Sequence, residues 1–200
     1  MASPTLTTTP VAALPSAGGE EPRNVMPMGV LLLCAGGTMF FGALVAAYLH
    51  LRNVTAPWPP EGIRLDLYLG NLLVITMGLS AVTAEWACLA VRRGDRRQAS
   101  AALGVTIGLG VAFLNLLSYT ADQVPFDAAS HPYGLVVTAM VMLLGIAVGI
   151  GVVFVTLTLL RVSGRQISAS DPSQVRATAC YWHFTVAASI AVWYTVAVLK

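Results

Sequence analysis

Three histidines, three cysteines and one carboxylate set within an apolar run are the side chains of this 200-residue chain from which membrane redox or metal chemistry could be built. A haem held inside a membrane needs two histidines facing each other at matching depth on two helices. His50 closes one apolar run, His131 precedes Pro132 in a polar connector, and His183 lies about two turns into the last apolar run, which starts at Ala177 and includes "CYWHFTVAASIAVWYTVAVLK". No two of them match in depth. A copper or iron site wants a cluster of imidazoles or carboxylates, and none is spaced for one. Cys34, Cys88 and Cys180 all fall inside apolar runs without a Cys-x-x-Cys pair. They therefore form neither a zinc site nor a disulfide framework and read as small helix-packing residues. The residues themselves assign this chain no catalytic, cofactor-binding or metal-binding set.

Ionisable groups within membrane spans are the default functional candidates, which leaves Glu85 in "SAVTAEWACLAVRRGD". It stands seven residues before Arg92, so the two share a helix face and lie roughly 10 Å apart along the axis. The expectation is a carboxylate that snorkels to water or pairs with Arg92 or Arg93; the alternative is a proton-collecting or partner-contacting group. The other polar residues of the spans, such as Thr38, Asn71, Thr76, Ser80, Thr83, Asn115, Ser118 and Thr138, do not converge on a pore. Asn115 is expected to bond across helices.

The elements that must position these groups follow from composition. Hydrophobic residues make up 56% of the chain and charged ones 10%, with a mean hydropathy of +0.75, against roughly a quarter charged in soluble domains. The solvent for so much apolar surface is lipid, and a net charge of +2 gives no reason to expect nucleic acid. Crossing the hydrocarbon takes ~20 apolar residues per helix. Five runs meet this length, at about Met26–Leu51, Leu67–Val91, Ala99–Tyr119, Tyr133–Leu160 and Ala177–Leu199. The fold class expected is an all-α polytopic membrane protein, a five-transmembrane-helix bundle spanning residues 25–200. Residues 1–24, rich in Ser, Thr, Pro, Ala and Gly and lacking a basic start with an apolar core, read as a disordered cytoplasmic tail rather than a secretory signal.

Charge sets the orientation. One side carries Arg23, Arg92, Arg93, Arg96, Arg97, Arg161, Arg165 and Arg176; the other carries Arg52, Arg64 and Lys200. Eight against three in short connectors puts the amino terminus in the cytoplasm and the carboxyl terminus outside. Aromatic residues agree: Tyr48, Trp58, Tyr68, Tyr119, Tyr133, Trp193 and Tyr194 fall near the outer interface, and Trp86, Tyr181 and Trp182 near the inner one. Gly104/Gly108 and Gly145/Gly149 are small-xxx-small pairs expected to serve helix packing. No inverted repeat suggests a secondary transporter. Five helices without a catalytic set point to a subunit of something larger.

The order of several short motifs then carries a resemblance over roughly residues 24–200. "TMFFGALVAAYLHLR", "WPPEGI", "LDLYLGNLLVITMGLSAVTAEWACLAVRRGD" and the terminal "YWHF" resemble, in sequence order, subunit III of haem-copper oxidases in its five-span bacterial form. The resemblance implies a non-catalytic accessory subunit in a bacterial inner membrane. Such a subunit binds neither haem nor copper, packs against oxidase subunit I and subunit II, contacts lipid, and supports proton uptake and the durability of the active site. Haem and copper are expected in the partner catalytic subunit, which reduces oxygen with electrons from cytochrome c or quinol. An accessory subunit of a nitric oxide reductase is the near alternative; an autonomous transporter and a haem protein are the distant ones.

Departures from that family's pattern are specific. Gly37 in "AGGTMFF" stands where the family usually has a buried Glu, and "NLLSY", with Asn115 and Ser118, replaces its Gln-x-x-Glu-Tyr. Leu144 and Ala147 occupy the places of a His-x-x-His pair, and the acid after "YWHF" is replaced around Val186. His183 keeps the family position, where capping or interfacial hydrogen bonding is expected ahead of ligation.

Overall fold

Five long helices follow one another in a computed structural model that describes residues 25–60, 67–122, 131–167 and 172–199. They are α1 (Val25–Val54), α2 (Leu67–Arg92), α3 (Arg96–Asp122), α4 (Pro132–Ser163) and α5 (Ser173–Ala197). The first four expected runs each lie within one helix, and the fifth does except for its last two residues, which follow the end of α5 at Ala197. The expected cytoplasmic tail, and Arg23, Arg64 and Lys200 from the charge count, lie outside the described residues.

At ~1.5 Å per residue these helices are roughly 38–48 Å long. Four of them, α1 to α4, are long and apolar enough to cross a membrane. The fifth is less apolar because it carries Tyr181, Trp182, Thr185 and Ser189, and all four are buried. Its polarity points inward. Helices α2, α3, α4 and α5 close a ring in which each touches the next, α1 lies against α4 and α5, and α5 thus touches three neighbours. The protein is an all-α, multi-pass membrane bundle.

Local chemistry explains the tight turns. The Arg-Arg-Gly-Asp turn ends α2 with Gly94 at φ 73°, a left-handed conformation that glycine adopts at no steric cost. Gly94 N–H donates to Val91 O at 3.0 Å and Asp95 N–H to Ala90 O at 3.0 Å, the bond pair of a Schellman stop. Asp95 Oδ1 then accepts from Gln98 N–H at 3.0 Å and caps the start of α3. His131, expected in a loop, is the N-cap of α4: its Nδ1 accepts from Tyr133 N–H at 3.1 Å, and Pro132 follows at N1.

Glycine packing differs from the expectation. A Cβ at Gly104, Gly108 or Gly149 would meet nothing within 4 Å, and one at Gly145 would sit at ordinary distance from Leu117. Those pairs therefore do not bring helices of this chain together. Close approach occurs instead at Gly70, Gly110 and Gly151, where tryptophan rings occupy the missing side-chain space.

Candidate functional site

The α2–α5 seam gathers most of the polar chemistry. Trp182 is fully buried, seated where Gly110 of α3 and Gly151 of α4 lack side chains. Its Nε1–H donates to Ser80 Oγ at 2.9 Å, and the Ser80 hydroxyl donates to Met77 O at 2.7 Å. Tyr181, also buried, donates its hydroxyl to Ala147 O of α4 at 2.9 Å. Both had been expected at the inner interface. They are core residues instead, because α5 is enclosed by α1, α2 and α4 and its large rings have partners there.

His183 and Glu85 meet on the outward side of the same seam. His183 Nε2 lies 2.7 Å from Glu85 Oε1, with the side chains 39% and 57% exposed respectively. The expected partners of Glu85, Arg92 and Arg93, do not pair with it. A helix crossing brings an imidazole closer than arginines about two turns further along the chain. Arg92 lies seven residues beyond Glu85, and Arg176 seven before His183, so the pair sits roughly 10 Å along each helix from an arginine. His183 thus hydrogen-bonds a carboxylate and joins two helices; no sequence periodicity links positions 98 residues apart.

Further up the seam, Trp193 Nε1–H donates to Asn71 Oδ1 at 3.2 Å, and the Trp193 ring fills the space beside Gly70. Asn71, not Asn115, makes the cross-helix bond; Asn115 is exposed on α3. Two hydroxyl pairs join other helices, Thr83–Thr106 between α2 and α3 and Thr158–Thr178 between α4 and α5, each at 2.8 Å. At the same end as Asn71 and Trp193, Tyr48, Trp58 and Tyr133 pack edge to face or tilted, with centroids 5.1–6.2 Å apart.

Gly37, at the place of the expected acid, faces Phe184 of α5. A Cβ there would come within 2.5 Å of the Phe184 ring. That ring fills the pocket a longer side chain would need, and Phe41 packs against it at 6.2 Å. Cys88 is buried and suits a packing role, whereas Cys180 is exposed and does not. Among the described residues no group of three or more His, Cys, Asp or Glu side chains could hold a metal ion.

Fold and seam together define a multi-pass helical membrane protein in which several polar side chains join one helix to another. The family model for cytochrome c oxidase subunit III matches residues 19–198, and the chain belongs to that family. It is 31% identical over 166 residues to cytochrome c oxidase subunit 3 of Strongylocentrotus purpuratus, covering 80% of this chain and 64% of that protein. The same subunit of Cyprinus carpio is 32% identical over 163 residues, covering 78% and 62%. That of Prototheca wickerhamii is 29% identical over 165 residues, with the same coverage. The chain thus spans a little under two thirds of the length of the relatives it matches.

Proposed function

We propose that this chain is a non-catalytic accessory subunit of a bacterial respiratory haem-copper oxidase that reduces oxygen to water. The observation that carries this reading is the family match across residues 19–198. On this reading residues 25–200 form one membrane domain that packs beside catalytic subunit I and, with it, subunit II, and that contacts lipid. Haem and copper belong to the partner, and electrons reach it from cytochrome c or quinol. The arginine asymmetry supports an inner-membrane location with the amino-terminal tail in the cytoplasm and the carboxyl terminus outside.

Purification of the tagged chain in mild detergent tests this reading, with identification of copurifying subunits, a haem spectrum and oxygen-uptake assays. The expected result is a haem- and copper-containing partner that consumes oxygen, and a colourless chain once separated from it. Stoichiometric haem kept by the separated chain, or a partner that reduces nitric oxide but not oxygen, would overturn it.

A further inference from the structure

Where α2 stops, α3 starts and α4 stops, a cavity of about 260 Å³ opens at the arginine-rich end of the bundle. Val91, Ala99 and Val162 are buried beneath it and give it an apolar floor. Its rim carries Arg96, the first residue of α3, and Arg165, just past the end of α4. Both arginines are exposed, so solutes reach the cavity from water.

No acid lines the space. Neither guanidinium pairs with a carboxylate among the described residues, where the one ion pair is Glu85–His183. The nearest acid along the chain, Asp95, commits its Oδ1 to the Gln98 N–H at 3.0 Å. Helix α3 begins here, so the positive end of its dipole adds to the two charges. Carbonyls that would oppose them are occupied: Ala90 O and Val91 O in the α2 stop, Arg161 O and Val162 O in the α4 stop.

Arg165 holds its place against backbone preference. At φ 62° it is the one left-handed non-glycine residue among those described. Gln166 N–H donates to Arg161 O at 2.9 Å and Arg165 N–H to Val162 O at 3.3 Å. Arg165 therefore fills the position of a Schellman stop that glycine usually takes. Helix α2 ends on the same bond pattern with Gly94 there, whereas in α4 the glycine, Gly164, stands one residue early. A side chain is kept where the backbone favours none, and it places a guanidinium on the cavity.

We infer that this cavity binds one phosphate group, held between the Arg96 and Arg165 guanidinium groups. Planar guanidinium forks match pairs of phosphate oxygens and bind them more strongly than neutral donors do. The group arrives on an anionic phospholipid, whose headgroup basic pockets between spans recognise on the cytoplasmic side, or as a soluble phosphate. The inference needs only the membrane bundle and not the oxidase reading.

The full chain with its copurifying subunits is delipidated and its structure determined by electron cryomicroscopy in two arms. One arm uses phosphatidylglycerol nanodiscs, the other detergent with inorganic phosphate. The expected result is a tetrahedral density within hydrogen-bonding distance of both guanidinium groups. Attached acyl chains in the first arm identify a lipid source; density in the second arm alone identifies a soluble one. Arg96→Gln and Arg165→Gly should each lower affinity about tenfold or more in native mass spectrometry, since each removes charged hydrogen bonds. Arg97→Gln, which alters an arginine outside the lining, should not. Arg165→Gly should also raise the thermal midpoint in phosphate-free detergent, because glycine takes a left-handed φ without strain. A lowered midpoint would make Arg165 a structural residue and remove it from the site. No density in either arm, a partner's carboxylate between the two arginines, or unchanged binding in both variants would each overturn the assignment.

Discussion

Glu85 of α2 and His183 of α5 share a 2.7 Å contact that is the one ion-pairing contact between helices among the described residues. Its worth is set by its surroundings. Exposed pairs in water contribute ~0–1 kcal/mol, and polar contacts between membrane helices average ~0.6 kcal/mol with a maximum near 1.7. Replacing each residue by Ala, singly and together, should give a coupling energy of about 0.6–1.7 kcal/mol in unfolding measurements in detergent. Losses that add to within ~0.3 kcal/mol would show that the two side chains do not support each other.

The indole of Trp182 requires Gly110. A Cβ at Gly110 would stand 2.7 Å from the ring and 2.9 Å from Val152, whereas one at Gly108 meets nothing within 4 Å. Gly110→Ala is therefore expected to destabilise by ~1–3 kcal/mol through overpacking. Gly108→Ala should stay within ~0.5 kcal/mol of the unmodified chain. Thermal unfolding of the two variants side by side checks the difference; equal midpoints would contradict the packing.

Ser80 accepts the only hydrogen bond that the buried Trp182 N–H makes. Ser80→Ala leaves that donor unpaired in an apolar interior, a loss of about 1–3 kcal/mol. Ser80→Thr retains an acceptor and should recover part of the loss. Tryptophan emission provides a second readout, since a changed partner at the indole nitrogen shifts its maximum. Unchanged stability and emission in Ser80→Ala would refute the bond.

Orientation is open to chemical labelling. In a background without Cys34, Cys88 and Cys180, single cysteines are placed at Gly94, in the α2–α3 turn, and at Ala56, beyond α1. Impermeant thiol reagents should reach the first only from the cytoplasmic side and the second only from outside, as the arginine count requires. Labelling of both from one side would remove the basis of the proposed topology.

The five helices were legible because each carries about twenty apolar residues, and chain length against membrane thickness leaves few alternatives. The contacts between helices were not. The spacing of Gly104 and Gly108 shows that they share a helix face but not whether that face meets a neighbour. Gly110, two residues on and without a spaced glycine partner in the sequence, is the one that does. Tyr181 and Trp182 looked like interfacial anchors because rings near span ends usually are; enclosure of α5 by three helices makes them core. Glu85 had arginines in view along its own helix, and only the crossing of α2 with α5 supplies His183. Gly37 was visible as a departure from the resemblance, but that a phenylalanine from α5 fills its place was not.

The position of α5 orders how the bundle can be built. Among the described helices α1 touches only α4 and α5, so α1 has no native neighbour in this bundle until α4 is made. Its second neighbour is the fifth in chain order, and that helix also closes the ring between α4 and α2. Helices α2, α3 and α4 can pack on one another as each is made, while α1 stays unpaired beside them. Helix α5, which carries no window as apolar as those of the other four, is received by protein surfaces already present for its tryptophans rather than by hydrocarbon alone.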